Sequence, residues 1–448
     1  MDKLKQEAKI SHLKQALAIR DLDQLGEVSD SINPADLALY LLKLPEDLQL
    51  ELLDELQNAA YIFEFLPLPK QVQLIQKLDD LKIIEIITEM HSDARTDLYK
   101  ALPEHFQTFI FANLSKDKKK QIQDLALYDE QTAGAIMTSD YVTLPADITM
   151  QQALDILRNT DKDTETVYLI YITDQFQQLA GVISLREIVQ SPLDKTIQDV
   201  MTTDVIFARI DEDQELVAKK LSHYDFIALP ILDEDDHLMG IVTYDDALDV
   251  FQEEFTEDFL KSGAVELKEN MSILSAPIFV LYRQRVFWLV ILVFGSLLSS
   301  VGIAHYEEII AAHIVLVFFL PLLVGSGGNA GSQSATLMVR AIATGDVTAK
   351  DWFKLLGRES LVALCLGTTM AIAVSLLGYF RGDLMVALVL AISMMGIVMI
   401  GCLIGMSLPF ILNKLGFDPA SASAPLVTSI CDATGVLIYL FIASQILF

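Results

Sequence analysis

Cysteine is scarce. The 448 residues include three, Cys365, Cys402 and Cys431. None has metal-site spacing, and residues 1–364 have none at all. This excludes a disulfide framework and fits a reducing compartment. Basic residues are also few, 32 Lys and Arg against 61 Asp and Glu, and the imbalance lies in one part of the chain. Residues 284–448 carry 7 bases and 8 acids, whereas residues 1–283 carry 25 bases and 53 acids, a net of −28. Nucleic acid is excluded as a partner, because its binding rests on neutralising phosphates with Lys and Arg. A surface this acidic favours cations instead. The opening stretch "MDKLKQEAKISHLKQALAIR" has no apolar core of the kind a secretory signal needs. No nucleophile–base pair or catalytic metal cluster stands out and the histidines are scattered, so no enzyme is expected.

The near-neutral part is long runs without charge. Val286–Tyr306, Ile309–Val339, Ser360–Phe380 and Leu384–Asn413 contain no Asp, Glu, Lys or Arg, and Pro419–Phe448 contains only Asp432. Each is long enough to cross a bilayer, which takes about 20 apolar residues. Five spans are therefore expected. Arg283 and Arg285 precede the first; Arg340, Lys350, Lys354 and Arg358 cluster between the second and third. The positive-inside rule puts residues 1–285 in the cytosol, and five spans then leave the C-terminus outside.

Within the acidic part, residues 1–130 read as helices. "ADLALYLLKLPEDLQLELLDELQ" and "KQVQLIQKLDDLKIIEIITEM" space apolar residues by three and four. Leu-Pro recurs at Leu44-Pro45, Leu66-Pro67 and Leu102-Pro103, suggesting a small superhelical solenoid of helix pairs, each closed by a proline. Residues 131–250 contain a tandem repeat: "MTSDYVTLPADITMQQALDIL" returns as "MTTDVIFARIDEDQELVAKKL", and "LAGVISLREIV" as "LMGIVTYDDAL". Each copy alternates short strands and helices and resembles a CBS domain. That resemblance implies an adenine nucleotide such as ATP at the Gly-x-x-Thr-x-x-Asp pattern Gly240, Thr243 and Asp246. The first copy departs from it, with Gly181, Ser184 and Glu187. The alternative is a pair serving only as a dimerisation platform.

Gly325–Ser334, "GSGGNAGSQS", is polar and glycine-rich inside an uncharged run. It lacks the Gly-Lys-Ser/Thr of a phosphate loop. It imitates a dinucleotide fingerprint, but that motif needs a strand–helix unit in a parallel sheet. What remains is a break in span two or a point of close packing. Asn329, Gln333, Thr336 and Arg340 then fall on one helix face. Ser421, Pro425, Thr428, Asp432 and Gly435 form a second stripe on span five. A carboxylate at the bilayer centre costs ~2.5–3.5 kcal/mol on insertion scales, so such a residue is expected on an ion path; the alternative is a structural partner for Arg340. One carboxylate among hydroxyl, amide and carbonyl oxygens suits Mg2+, which sheds water reluctantly.

From end to end the chain resembles the MgtE family of magnesium channels and transporters. The motifs are "GSGGNAGSQSATLMVRAIATGDV", "TAGAIMT" at Thr132–Thr138, "DQELVAKKL" from Asp213 and "CDATG" around Asp432. The resemblance implies a multidomain membrane protein: cytosolic helical N domain (1–130), CBS pair (131–250), connecting helix (251–283) and five-helix transmembrane domain (284–448). It implies a homodimer with its pore on the two-fold axis, Asp432 as the selectivity carboxylate, and Asn329, Gln333, Thr336 and Thr428 lining the pore. It also implies cytosolic Mg2+ sites at Asp93, Asp97, Asp213, Glu215, Asp246, Asp249, Glu254, Glu257 and Asp258, whose occupancy closes the channel. Carboxylates brought together repel, and divalent ions reverse that. Whether the pore is a channel or a coupled carrier stays open at this level. A membrane-anchored nucleotide sensor is the reading of another class, but an anchor has no need of Asp432.

Overall fold

The computed structural model describes residues 28–29, 31–56, 58–160, 164–265 and 276–447. Residues 1–27 of the expected helical domain and 266–275 of the expected connecting helix lie outside these. The chain divides into two compact units, Met1–Gln252 and Glu253–Phe448.

Among the described residues, the first unit opens with eight short helices: α1 (Pro34–Leu41), α2 (Glu46–Glu55), α3 (Ala59–Glu64), α4 (Leu68–Ile75), α5 (Asp80–Glu89), α6 (Ser92–Ala101), α7 (Glu104–Asn113) and α8 (Lys116–Leu125). Their apolar faces share one core, from Leu37 and Leu41 through Leu52, Phe63 and Ile86 to Ile122. The Leu-Pro prolines do more than close helices. Pro45, Pro67 and Pro103 stand at the N-caps of the helices that follow, where a missing N–H costs nothing. Four residues later comes a glutamine each time. The Gln49 amide donates to the Leu41 and Leu44 carbonyls, Gln71 to Glu64 and Leu66, and Gln107 to Lys100 and Leu102. The fully buried Arg95 does the same for Thr88 and Met90. Each turn thus satisfies the orphan carbonyls at a helix end with a side chain from the next helix.

Two three-stranded sheets follow, interleaved with α9 (Ala133–Ile136), α10 (Met150–Arg158), α11 (Leu185–Gln190) and α12 (Gln214–Tyr224). Strands β1 (Thr143–Leu144), β2 (Leu169–Thr173) and β3 (Leu179–Ser184) lie in that order, as do β4 (Ala208–Arg209), β5 (Ala228–Leu232) and β6 (Leu238–Thr243). In each sheet the first pair is parallel and the second antiparallel. The two copies clasp each other. Thr138 bridges Ile241 of β6, and Thr202 bridges Val182 of β3. A Cβ added at Gly240 would lie 2.7 Å from Met137 Sδ, and one at Gly181 would lie 2.9 Å from Met201 Sδ. The repeated Met-Thr of each copy therefore needs the repeated glycine of the other.

Helix α13 (Tyr244–Ser262) starts directly at the end of β6 and leaves the sheet domain. It ends at Gly263 and Ala264, the latter with φ 55°. The next helix, α14 (Ile278–His305), already belongs to the first span, so helix does not cover 251–283 as one piece. The other spans are α16 (Val315–Ala343), α17 (Trp352–Arg381), α18 (Leu384–Lys414) and α19 (Ala424–Leu447). All five are long and apolar enough to cross a membrane. Between the first two lies α15 (Glu307–Ala312), a short helix hidden by the uncharged run from Ile309. Span five begins at Ala424, because Pro419–Ser421 forms a separate 3-10 turn capped by Asp418.

Span two is unbroken across Gly327-Gly328. The glycines serve close approach. A Cβ at Gly401 on α18 would lie 2.5 Å from the Gly327 carbonyl oxygen, and one at Gly331 would lie 2.8 Å from that of Gly401. Gly327 and Gly331 meet Gly401 and Gly405 as two small-xxx-small faces, the means by which membrane helices gain packing contact.

Candidate cation site

The membrane site forms where α16 meets α19. A Cβ added at Gly328 would lie 2.9 Å from Thr428 Cγ2 and 3.5 Å from Asp432 Oδ1. The missing side chain lets span five lie close enough to bring its carboxylate over the backbone of span two. Asp432 and Thr428 are half-buried, and Asn329, Gln333 and Thr336 are exposed on the open face of α16. Asp432 and Thr428, one turn apart on α19, thus both face Gly328, which Asn329 follows on α16, with Gln333 and Thr336 one and two turns further along. Arg340 does not join them. It lies 12 residues beyond Gly328, about 18 Å along the helix axis at 1.5 Å per residue, and makes no ion pair with Asp432 among the described residues. Nor does the whole span-five stripe survive: Ser421 is outside the helix, and Gly435 is buried against Ile397 and Val324. Sequence reasoning passed over Ser332. Its Oγ lies 3.2 Å from Thr428 Oγ1 and donates to the Ala424 carbonyl at 3.3 Å. Its signal was its place one turn beyond Gly328. The donors gathered here are all oxygen or amide, which suits a hard cation held through its waters.

In the soluble unit, Asp93 sits near the start of α6, where that helix docks on the CBS pair. The neighbouring Ser92 N–H donates to Asp140 at 2.9 Å, and Ser92 Oγ lies 3.0 Å from Thr138 Oγ1. Burial pushes the Asp93 carboxyl up, and its Oδ1 is buried without a hydrogen-bond partner. Burial, with Asp93 facing it, also pushes Asp246 well up. Three groups absent from the expected set complete the cluster. His91 Nδ1 lies 3.0 Å from Glu64, and its Nε2 lies 3.6 Å from Glu165. The hydrogen bond it donates to Glu64, with Glu165 and Asp93 nearby, holds the imidazole up at about 9 against its burial. Burial pushes Glu165 up to about 7, although His91 opposes it. Several carboxylates thus crowd one imidazolium, an arrangement that favours binding a divalent cation. No three His, Cys, Asp or Glu side chains converge as a ready-made metal site among the described residues.

The remaining expected ligands are more local. Asp97 lies one turn beyond Asp93 on α6 and is exposed, as is Asp249 on α13. Asp213 caps α12 by accepting from Glu215 N at 2.8 Å, and Glu215 pairs with Lys219 at 2.7 Å. Glu254, Glu257 and Asp258 lie on the far end of α13, in the second unit. There Glu257 and Asp418 share Lys261, with Asp418 Oδ2 at 2.7 Å. Burial alone would lower the Lys261 ammonium; the two carboxylates raise it well above the ordinary lysine value. The nucleotide pattern has a structural use of its own: Gly240 packs on Met137, and Thr243 donates to Asp246 as the cap of α13. Ser184 and Glu187 form the matching cap in the first copy.

Comparison with known proteins agrees with this layout. A family model described as a divalent cation transporter matches residues 320–442, the MgtE intracellular N domain matches 32–131, and the CBS domain matches 133–194 and 197–253. The magnesium transporter MgtE of Thermus thermophilus is 36% identical, covering 97% of this chain and 98% of its own length. That of Bacillus subtilis is 29% identical, covering 96% of each. The crystal structure of the soluble part of a magnesium transporter, 30% identical, matches 56% of this chain and 99% of its own with a TM-score of 0.54. The cytosolic domain of the Mg2+ channel MgtE in complex with ATP, 33% identical, matches 54% and 99% with a TM-score of 0.51. With its helical N domain in the cytosol, its CBS pair and its five membrane helices, the chain belongs to the MgtE family of magnesium transporters.

Proposed function

We propose that the protein is a Mg2+-selective channel whose pore runs past Asp432 and which cytosolic Mg2+ closes. The observation that carries this reading is the placement of Asp432 Oδ1 and Thr428 over Gly328 on span two. One carboxylate half-balances a divalent ion. Two copies about a two-fold axis balance it fully, and the exposed face bearing Asn329, Gln333 and Thr336 is then the pore wall rather than a polar stripe in lipid. Mg2+ dehydrates reluctantly, so these side chains act as acceptors for the hydrogens of its bound waters. Span five leaves the C-terminus outside.

Closure draws on the acids of the soluble unit and of α13. Asp93, Asp97, Asp246 and Asp249, with Glu64 and Glu165, are expected to gain Mg2+ as cytosolic concentration rises, and Asp213 and Glu215 to contribute at the start of α12. Glu254, Glu257 and Asp258 extend the acidic face along α13. Ions bound by several such groups favour the compact state by their summed differential affinity. ATP, present in the related cytosolic domain, is expected at the CBS pair beside Gly240, Thr243 and Asp246. A ligand there competes with the Thr243–Asp246 cap and so acts on the start of α13. The test is Mg2+ flux into proteoliposomes. Asp432→Ala, with the fold intact, is expected to abolish it; undiminished Mg2+-selective flux would remove Asp432 from the pore.

A further inference from the structure

Hydroxyl groups in the spans have a default partner. Thr336, Thr368, Thr369 and Thr434 each donate to the carbonyl four residues back, at 2.7–2.9 Å. This is the ordinary way a membrane helix satisfies such a group. Thr428 does not follow it. The carbonyl four residues back is that of Ala424, and it accepts instead from Ser332 of span two at 3.3 Å. Thr428 Oγ1 lies 3.2 Å from Ser332 Oγ. Since a hydroxyl has one proton, the two contacts fix a direction: Thr428 donates to Ser332, and Ser332 donates to Ala424. The other branch of Thr428 is fixed as well, because its Cγ2 packs where Gly328 leaves out a Cβ. Both substituents on the Thr428 Cβ are therefore held by span two, one turn before Asp432.

We propose that Ser332 is a positioning residue for ion selection: its hydroxyl holds the Thr428 side chain with its proton turned to span two and its lone pair free beside Asp432. The inference rests on the reading of Asp432 as the pore carboxylate. A hydrated divalent cation presents water hydrogens outward, so a pore wall that selects the hydrated ion needs oxygens fixed as acceptors. A rotating hydroxyl offers a donor as readily as an acceptor, whereas Thr428 with its proton committed to Ser332 offers only an acceptor. Without Ser332, Thr428 is free to turn back onto its own Ala424 carbonyl, as the other span threonines do.

The experiment is ion flux into proteoliposomes with the full chain, measured for Mg2+ and Ca2+ separately, beside thermal stability in detergent. Ser332→Ala is expected to lower the Mg2+ to Ca2+ flux ratio at least about threefold, the discrimination one oriented hydrogen bond supplies, while Mg2+ still permeates. Thr428→Val should lower it by a similar factor, the double variant no further, and Ser332→Thr should restore it. A ratio unchanged in Ser332→Ala, or losses in the two single variants that multiply in the double, would overturn the proposal, as would a fall in stability alone. If Asp432→Ala keeps its flux, the pore reading fails and this one with it. If Asp432→Ala abolishes flux and Ser332→Ala leaves the ratio intact, only this inference fails.

Discussion

At the scale of single residues, the membrane half is organised by side chains that are missing. Gly327, Gly328 and Gly331 bring span two against spans four and five, and each is blocked to any larger residue by a specific atom. The tightest constraint lies on the facing helix, where a Cβ at Gly405 would meet the Gly331 carbonyl oxygen. Backbone cannot yield as a flexible side chain can. Gly405→Ala is therefore expected to destabilise the folded transporter by about 1–3 kcal/mol, the usual cost of overpacking, seen as a lowered melting temperature in detergent. Gly325→Ala is the control. Its Cβ would meet nothing within 4 Å, and alanine is the better helix former, so its melting temperature should match or exceed that of the parent. Equal losses at both positions would show that the glycines act through backbone freedom and not through contact.

At the scale of elements, the docking of α6 is linked to the charge of the groups around it. The start of α6 carries both the Ser92 contacts that seat it, with Asp140 and Thr138, and two ionisable groups, His91 and Asp93. Glu64, within the same helical domain, and Glu165, across the docking contact, raise His91 to about 9, and the part due to Glu165 is tied to docking. A group raised in the docked state supports docking fully below its ordinary value of about 6.5 and loses that support as pH rises through about 9. Glu165, raised to about 7, acts in the same direction between its own ordinary value and 7. Without Mg2+, proteolytic protection of the linker between α8 and β1 is expected to fall as pH goes from 6 to 9. Saturating Mg2+ should flatten the dependence, and His91→Gln should remove most of it. A pH profile identical in His91→Gln would assign the dependence to other groups.

The elements also show how much was legible. The five spans followed from runs without charge and the CBS repeat from its two pairs of motifs, because both are periodic or compositional signals. The short helix α15 was not legible, since two glutamates followed by an apolar run look like the start of a span. The solenoid glutamines were visible only as a spacing, and their work on helix-end carbonyls needs three dimensions. In the site, Asp432 and Asn329 stood out as polar groups in apolar text. Ser332, Gly401 and Gly405 did not, because their meaning lies in what faces them across a helix interface. Glu64 and Glu165 were lost among 61 acids and His91 among seven histidines, and one sequence does not say which of them a fold gathers.

At the scale of the whole molecule, the division of charge is the main fact. The first 283 residues carry a net of −28, the charge the proposed cation sensing needs, and the near-neutral remainder carries Asp432, the residue the proposed path runs past. The helix α13, continuous over 19 residues, starts at the Thr243–Asp246 pair, and Lys261 in its last turn is tied to Asp418 just before span five. The central claim, a pore at Asp432 closed by cytosolic Mg2+, is tested most directly by single-channel recording with the cytosolic face exposed to a Mg2+ titration. Discrete Mg2+ currents are expected, with an open probability that falls as cytosolic Mg2+ rises, and no such currents from Asp432→Ala. Currents that ignore cytosolic Mg2+, or that persist unchanged in Asp432→Ala, would contradict it.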